Sequence, residues 1–305
     1  MTMVSRTGTH PAVRAHEEKR ASLLGTLVVL FKLRIVLLLV FAAVGGALLG
    51  AHGRPTWGQM ALLLLTGTMS AAGASALNQY LERDRDALMK RTARRPLVTG
   101  EVSPRAALIA ASALVSGASV LALLAGNLPL AFFLALGAFI YVGVYTLWLK
   151  PRSVLNVVIG GAAGSAAVLS GGAAVGQWAD PGVLILAALL FTWSPIHFWA
   201  LALAYRKDYS RAGVPMLPVV SSSRQALFWM LVHALATGFF GLLLALHGAL
   251  GWLYVLPVGL ATAWLIRESV LLVGNVTAPR AMAVFKVSNL YLSIVLLAVA
   301  VVSMI

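Results

Sequence analysis

Nine stretches of about 20 predominantly apolar residues run through this chain of 305 residues, and their length limits what it can fold into. An α-helix of that length spans the hydrocarbon core of a membrane, and glycine, proline and charged clusters separate the stretches. A mean hydropathy of +0.92 with only 10% charged residues excludes a soluble enzyme. The sequence therefore predicts an all-α integral membrane protein, a bundle of nine transmembrane helices.

These helices are expected to form a single domain over residues 25–305, preceded by a disordered cytoplasmic tail at 1–24. The tail contains charges and Pro11 but no apolar period. The predicted helix extents are 25–50, 58–81, 106–126, 129–149, 154–176, 182–205, 225–247, 250–267 and 281–303.

The basic residues set the expected orientation of the bundle. Lys and Arg favour the cytoplasmic side of short loops, and of the 23 in the chain only Arg54 falls in a predicted outer loop. The others lie in the tail, near the start of the first helix, or in the loops 82–105, 150–153, 206–224 and 267–286. We therefore expect the N-terminus in the cytoplasm. The formal charge of +14 follows from this topology and from contact with anionic membrane lipid, so no nucleic acid is expected as a partner.

The densest polar segment is NQYLERDRDALMKRTARRPL at residues 78–97. Asn78, Glu82 and Asp86 follow one another at intervals of four, which places them in a stripe about 12 Å long on one face of a continuing helix. Asp84 falls near the opposite face, where we expect it to pair with a neighbouring arginine. Oxygen ligands of this kind suit Mg²⁺, which also takes water and phosphate oxygens. The nearby cations suited to phosphate are Lys90, Arg91, Arg94 and Arg95. The segment predicts a magnesium–diphosphate site, and the alternative is a solvated loop whose charges pair with one another.

A second polar segment follows the sixth predicted helix, at the same end of the bundle. It contains Tyr205, Arg206, Lys207 and Asp208. Two such segments facing each other would hold a diphosphate between them with one metal per segment, so Asp208 is a predicted metal ligand and Lys207 a predicted substrate contact. Ala212 stands where a partner of Asp208 would be expected, so a second metal would have fewer protein ligands.

Three segments carry a resemblance to a known family: NQYLERDRDALMKRTARRPLVTG at 78–100, LKPRSVLNVVIGGAAGS at 149–165 and WSPIHFWALALAYRKDYSRAGVPMLPVV at 193–220. They resemble the protoheme IX farnesyltransferases, or haem O synthases, within the UbiA-type intramembrane prenyltransferases. The likeness runs from about residue 25 to the end and implies the UbiA-type prenyltransferase fold. The chain departs from the superfamily pattern Asn-x-x-x-Asp-x-x-x-Asp in having Glu82 at the middle acidic position, which suggests a metal contact through water.

The resemblance implies that the farnesyl group of farnesyl diphosphate is transferred to a vinyl group of haem B, with water added, giving haem O and diphosphate. It implies Mg²⁺ as cofactor, Asn78, Glu82, Asp86 and Asp208 as catalytic metal ligands, and haem B as a substrate. It also implies a multi-pass location in the bacterial cell inner membrane, with handover of the product to haem A synthase or to terminal oxidase assembly. Dry helix walls would protect a farnesyl cation from bulk water.

His197 lies in the sixth predicted helix, eleven residues before Asp208, so both would share a face if the helix ran through. It would then touch the porphyrin, by axial ligation or by bonding a propionate. The alternative is a packing role in which the imidazole bonds a neighbouring helix's carbonyl. The aromatic residues Phe198, Trp199 and Tyr205 are candidates for stabilising the cation, or are packing residues.

Four further residues are predicted to bind substrate. Lys32 and Arg34 open the first helix, and either bind diphosphate or anchor the helix at the membrane surface. Lys150 closes the fourth helix and is a candidate phosphate contact. Asn156 either caps the fifth helix or meets a polar group of the substrate.

The glycine-rich stretch at 160–176 is not a phosphate loop, because no Gly-Lys-Ser/Thr follows it, and we expect it to let two helices approach closely. The chain has no cysteine, which excludes a thiolate nucleophile and Cys-based metal sites. Two alternatives to haem farnesylation stay open: a sibling prenyltransferase acting on a quinone or chlorophyll precursor, and a non-enzyme such as a transporter or oxidase-assembly factor.

Overall fold

The computed structural model describes residues 23–305, and the predicted tail at 1–24 lies outside them except for Leu23 and Leu24. Those two residues begin a short helix, Leu23–Leu30. Nine helices in the described part are long and apolar enough to cross a membrane, as the sequence predicts. They are α1 Leu33–Gly50, α2 Trp57–Asp86, α3 Pro104–Leu124, α4 Leu128–Leu149, α5 Asn156–Ala174, α6 Pro181–Ala204, α7 Ser223–Leu246, α8 Trp252–Gly274 and α9 Ala278–Val302.

Helix starts carry the expected local signals. Thr56 and Gln59 form a capping box at the start of α2, in which each side chain satisfies a backbone N–H of the other. Asp180 caps α6, and Pro181 occupies the first helical position, where a missing N–H costs nothing. These caps fix where the membrane helices begin.

Helix α6 is the most buried of the nine. Its residues Leu186 and Leu189 are fully buried, with Tyr254 of α8 and Tyr291 of α9, in the largest apolar cluster of the described residues. Helix α5 packs closely on α1 at Gly171. A Cβ at this position would collide with the backbone carbonyl of Ala43, so only glycine allows the two helices to approach this closely. This contact is the close approach predicted from the glycine-rich stretch.

The first predicted helix is interrupted at Lys32, which adopts a left-handed conformation with φ 50° and ψ 49°. The interruption leaves backbone carbonyls without their usual helical hydrogen bonds. The side chain of Gln79 in α2 provides the donor, because its Nε2 donates to Val29 O at 2.6 Å and to Leu30 O at 2.8 Å. The single helix predicted over 25–50 is therefore wrong in this detail. Two elements separated by Lys32 replace it.

Two other predicted boundaries differ. Helix α2 continues past 81 to Asp86, so the polar stripe is helical as its spacing requires. Helix α8 runs to Gly274 and α9 begins at Ala278, so the predicted loop at 267–286 is mostly helix. Apolar residues on both sides of Arg267 and Glu268 continue the helical period through this charged pair.

Helix α6 ends at Ala204, and Tyr205 has non-helical dihedrals of φ −110° and ψ 34°. Asp208 therefore lies on a separate short helix, Arg206–Arg211. The continuous helix that would place His197 and Asp208 on one face is not formed. Helix α4 also changes type, because its second half, Phe139–Leu149, is a π-helix with wider turns.

Candidate active site

Asn78, Glu82 and Asp86 are buried side by side at the end of α2, with exposed fractions of 1%, 3% and 4%. Asn78 Nδ2 donates to Glu82 Oε2 at 3.0 Å, which joins the first two residues of the stripe directly. Asp84 of the same turn is solvent-exposed, and Arg83 Nε lies 3.7 Å from it. The stripe is therefore a buried polar surface, and the pairing predicted for Asp84 is present.

Lys150, which follows α4, pairs with Glu82. Its Nζ lies 2.5 Å from Oε1 and 2.7 Å from Oε2 of that carboxylate, and 5.4 Å from the centre of the Tyr145 ring. Burial by itself lowers the pKa of Lys150, but the Glu82 charge, the neighbouring Tyr145 and the hydrogen bond to Glu82 act together to raise the pKa above its ordinary value. Lys150 is therefore a fixed cation within the stripe.

Lys32 reaches the same stripe from the interruption before α1. Its Nζ donates to Asn78 Oδ1 at 2.5 Å and to the Tyr141 hydroxyl at 3.3 Å. Burial and, to a smaller extent, the Arg95 charge lower the pKa of Lys32, Glu82 opposes the shift in part, and the net pKa is about 7. An anionic ligand beside this amine would therefore draw a proton onto it.

Arg95 completes the cationic set. Its Nη1 lies 2.5 Å from Asp86 Oδ2, while Oδ1 of that carboxylate has no partner within the described residues. Thr92 donates from Oγ1 to the Asp86 carbonyl at 2.9 Å, which holds the turn that brings Arg95 back. Each acid of the stripe thus has a basic partner from outside α2.

Sequence reasoning did not find Tyr141 and Thr146. Thr146 Oγ1 donates to the Tyr141 carbonyl at 2.7 Å and accepts from Asn78 Nδ2 at 2.9 Å. Tyr141 stacks on Tyr145 with ring centres 5.8 Å apart. The π-helix widens the spacing from four to five residues, which α-helical periodicity does not anticipate. The available signal was hydroxyl groups inside an apolar span.

The second acidic segment lies at the same end of the bundle as the first and is joined to it through an apolar cluster. Asp208 is buried, and its ionic partner is Arg211 of the same short helix at 3.7 Å. Its neighbour Tyr209 belongs to one apolar cluster with Tyr145 and with Met89, which follows α2. The cluster therefore joins the ends of α2, α4 and α6 at one end of the bundle.

Several predicted contacts lie outside this network. The side chains of Arg34, Arg94 and Lys207 are exposed and form no bond to the stripe within the described residues. Tyr205, which follows α6, is also exposed. These residues lie at the surface around the site and not inside it.

Asn156 is fully buried at the start of α5. Its Nδ2 donates to Ser153 O at 2.6 Å, and its Oδ1 has no partner among the described residues. A capping asparagine accepts from helix N–H groups, so this arrangement is not the predicted cap. The buried unpartnered oxygen instead leaves a position for a hydrogen-bond donor from a ligand.

His197 of α6 is buried between the rings of Trp193 and Phe285, each 4.4 Å away between centres. Its Nδ1 lies 2.9 Å from Ser288 Oγ, and that hydroxyl donates to the Phe285 carbonyl at 2.8 Å. Since the hydroxyl has one proton, making both bonds requires that Nδ1 carry the hydrogen, which leaves a lone pair on Nε2. Nε2 has no partner in the part of the chain the structure describes.

The partner of His197 on the neighbouring helix is the Ser288 hydroxyl and not a carbonyl as predicted, while the choice between a haem contact and a packing role stays a prediction. Ser288 also accepts from Trp193 Nε1 at 2.7 Å through its carbonyl. It therefore fixes both the imidazole and one of the rings that enclose it. A serine in an apolar run gave no signal in the sequence.

The stripe fits a hard cation. Carboxylate and amide oxygens are clustered and buried, one oxygen of Asp86 is unpaired within residues 23–305, and Lys150 and Arg95 already neutralise the acids. Binding of a diphosphate with Mg²⁺ would break these internal ion pairs. The metal would then bind the carboxylates, and Lys150 and Arg95 would bind phosphate oxygens. Buried carboxylates paired with cations at one end of a membrane bundle are typical of a binding site for a charged ligand.

Comparison with known proteins identifies the family. The model of the UbiA prenyltransferase family matches residues 38–290, so the chain belongs to this family. A protoheme IX farnesyltransferase of Metallosphaera sedula is 42% identical over 269 residues, covering 88% of this chain and 92% of the relative. "Protoheme IX farnesyltransferase 2" of Paramagnetospirillum magneticum is 42% identical over 89% of this chain and 94% of its own. A relative from Thermus thermophilus, 44% identical over 89% of this chain, is longer, and the matched region is 45% of its length.

Solved structures share the fold. A digeranylgeranylglyceryl phosphate synthase aligns with a TM-score of 0.77 at 18% identity, covering 92% of this chain and 98% of that one. A UbiA homologue of Archaeoglobus fulgidus bound to DMAPP and Mg²⁺ aligns with a TM-score of 0.60 at 17% identity, covering 90% and 99%. At these identities the likeness establishes the UbiA fold, which the sequence resemblance had implied.

Proposed function

We propose that this protein transfers the farnesyl group of farnesyl diphosphate to a vinyl group of haem B, with addition of water, giving haem O and diphosphate. Relatives bearing the name protoheme IX farnesyltransferase cover nearly nine-tenths of the chain at 38–44% identity. The observation that carries the proposal is the buried stripe of Asn78, Glu82 and Asp86, paired with cations from three other elements.

The stripe and its cations bind the diphosphate. Asn78, Glu82, Asp86 and Asp208 would hold Mg²⁺, which supplies positive charge to the leaving group when bound. Lys32, Lys150 and Arg95 turn from their present partners to phosphate oxygens, and stabilise the negative charge that develops as the allylic C–O bond breaks. The exposed Arg34, Arg94 and Lys207 would attract the anionic substrate through their charge.

Bond breaking leaves the electron pair on diphosphate and a delocalised cation on the farnesyl chain. The stacked faces of Tyr141 and Tyr145 lie beside the stripe, where they stabilise that cation and exclude water. The vinyl π electrons of haem B then form the new C–C bond. Water adds to the resulting cation beside the porphyrin and loses a proton, which completes the hydroxyethylfarnesyl group.

His197 contacts the acceptor. The bond to Ser288 directs the Nε2 lone pair away from α9, in the tautomer that ligates iron. We assign Nε2 as the axial contact to the haem B substrate, with the propionates near the basic end of the bundle. Asn156 Oδ1, buried and unpartnered among the described residues, is the second polar contact for a substrate group.

We further propose a bacterial cell inner membrane location with the stripe at the cytoplasmic surface, as the distribution of Lys and Arg predicts. Handover of haem O to haem A synthase or to terminal oxidase assembly follows from this role.

The test is to express the chain in a bacterium that makes haem B but lacks haem O, and to analyse the extracted pigments by mass. We expect haem O with the wild type and haem B alone with Asp86→Asn. A prenylated phenol in place of haem O would reject the haem acceptor and favour a sibling prenyltransferase.

A further inference from the structure

A cluster of two histidines and an aspartate lies at the other end of the bundle. His52 follows α1, Asp180 precedes α6 and His247 follows α7. Helix α1 has 18 residues, so about 27 Å separates His52 from the Lys32 end of that helix. The cluster is therefore separate from the prenyl diphosphate site.

The three side chains converge. His247 Nε2 lies 3.2 Å from Asp180 Oδ1, and the two side chains are only 6% and 14% exposed. The His52 ring stacks on the His247 ring with centres 5.2 Å apart. The nearest ligand atoms of all three residues lie within 4.8 Å of one another. The His52 imidazole and Asp180 Oδ2 form no hydrogen bond within residues 23–305.

The backbone holds each group in place. Asp180 Oδ1 accepts from Gly182 N at 2.8 Å and from Val183 N at 3.2 Å, which fixes the carboxylate at the start of α6. A Cβ at Gly182 would lie 2.5 Å from His247 Cδ2, so glycine is what lets that ring lie against the helix. His52 has a left-handed backbone with φ 47°, which turns its side chain over the other ring.

The ligand chemistry differs from that of the stripe. Two imidazole nitrogens with one carboxylate suit Zn²⁺, Co²⁺ or Cu²⁺, whereas Mg²⁺ prefers oxygen ligands alone. Zn–N bonds of about 2.0–2.1 Å require ligand atoms about 3.4 Å apart, so the side chains would rotate to bring their ligand atoms together from within 4.8 Å. When His247 Nε2 binds the metal, the ring hydrogen moves to Nδ1. Nδ1 then no longer accepts the 3.3 Å hydrogen bond from Ala249 N.

We propose that His52, Asp180 and His247 bind one divalent transition metal, with a water in the fourth position. The ion would tie together the turns after α1, before α6 and after α7. Because the cluster is far from the prenyl diphosphate site, the ion would stabilise the bundle without entering the reaction.

The test uses the full-length chain in detergent, free of affinity tags and treated with a chelator. Co²⁺ is titrated by its visible absorption and then displaced with Zn²⁺. Two variants keep the backbone intact: Asp180→Asn retains a helix cap, and His52→Asn places a residue that tolerates a left-handed conformation. His233→Asn, in α7 but away from the cluster, is the matched control.

We expect one equivalent of Co²⁺ in the wild type and in His233→Asn, with at least tenfold weaker binding in the other two variants. Zn²⁺ should raise the unfolding temperature of the wild type and not of His52→Asn. Equal affinity in all four proteins, or no binding by the wild type, overturns the proposal. Either result leaves the prenyl transfer proposal untouched, since haem O formation is measured separately.

Discussion

The two acidic segments at the active end of the bundle are built differently. In the stripe, Glu82 and Asp86 pair with Lys150 and Arg95 at 2.5 Å, and these cations come from outside α2. Within the described residues Asp208 has only Arg211, from its own short helix, at 3.7 Å, and the Arg211 side chain is 51% exposed. The stripe is thus a neutralised network that links several elements, while Asp208 is only weakly paired. We infer that the stripe positions the diphosphate and that the weakly paired Asp208 carboxylate is available to bind a metal ion.

The largest expected effect concerns the acids themselves. Asp86→Asn and Asp208→Asn should each lower kcat for haem O formation at least 100-fold, on the order of the loss of one charge-stabilising group. Each variant should stay folded, because asparagine keeps the shape of the side chain. The measurement is haem O formed per minute in purified membranes.

Asp84→Asn is the matched control, because Asp84 lies between the stripe residues in sequence but is exposed. It should turn over normally. Near-normal turnover in Asp86→Asn or Asp208→Asn would count against metal–diphosphate chemistry at that position.

Removing the cationic partner should destabilise the protein much more in the stripe than in the Asp208 segment, and Lys150→Met tests this difference. It leaves Glu82 charged and buried without its partner, at a cost of about 3–5 kcal/mol, and the unfolding temperature in detergent should fall sharply. The double variant Lys150→Met with Glu82→Gln should recover much of the loss. Arg211→Met, which breaks the 3.7 Å pair between the exposed Arg211 side chain and Asp208, should cost about 0–1 kcal/mol. An equal loss in both single variants would remove the contrast.

Ser288→Ala should raise KM for haem B about tenfold and leave KM for farnesyl diphosphate unchanged, as a metal-ligating histidine typically loses 10–100-fold when its outer partner is removed. His197→Ala should have the larger effect of the same kind. Ser288→Thr keeps the hydroxyl and should restore haem use.

Ser293→Ala controls for helix packing, because Ser293 is on the same helix and donates to Asn289 O at 3.0 Å without touching a histidine. If Ser293→Ala and Ser288→Ala have equal effects on haem affinity, His197 returns to a packing role.

The smallest expected effect is a pH dependence. With a pKa of about 7, Lys32 is charged below that pH and neutral above it, so affinity for a farnesyl diphosphate analogue should weaken as pH rises from about 6 to about 8.5. Lys32→Met should flatten the profile by a few-fold. Arg34→Met, two residues away and exposed, should keep the wild-type slope. Parallel profiles in the wild type and Lys32→Met would show that Lys32 does not gain a proton on binding.

Much of this architecture could be predicted from the sequence, because membrane spans and a four-residue spacing depend on local pattern. The nine spans and the stripe of Asn78, Glu82 and Asp86 follow from it. The break at Lys32 could not be predicted, since the carbonyls that it frees on the preceding turn accept hydrogen bonds from Gln79 of another helix. The break at Tyr205 likewise depends on how the short helix with Asp208 packs.

Other parts of the site depend on contacts between distant residues. Thr146 meets Asn78 only because α4 changes to a π-helix, and Ser288 meets His197 across two helices. Neither residue has charge, and neither falls in a motif. Hydroxyl groups inside apolar spans are therefore candidate partners once a polar stripe has been located.

The most direct test of the account is a structure of the protein with a non-hydrolysable farnesyl diphosphate analogue and Mn²⁺, located by its anomalous scattering. We predict metal within bonding distance of both the diphosphate and the carboxylates of Asp86 and Asp208, with Lys150 and Arg95 turned towards phosphate oxygens. A diphosphate bound elsewhere, or metal that touches neither carboxylate, would contradict the claim that the two acidic segments share one substrate.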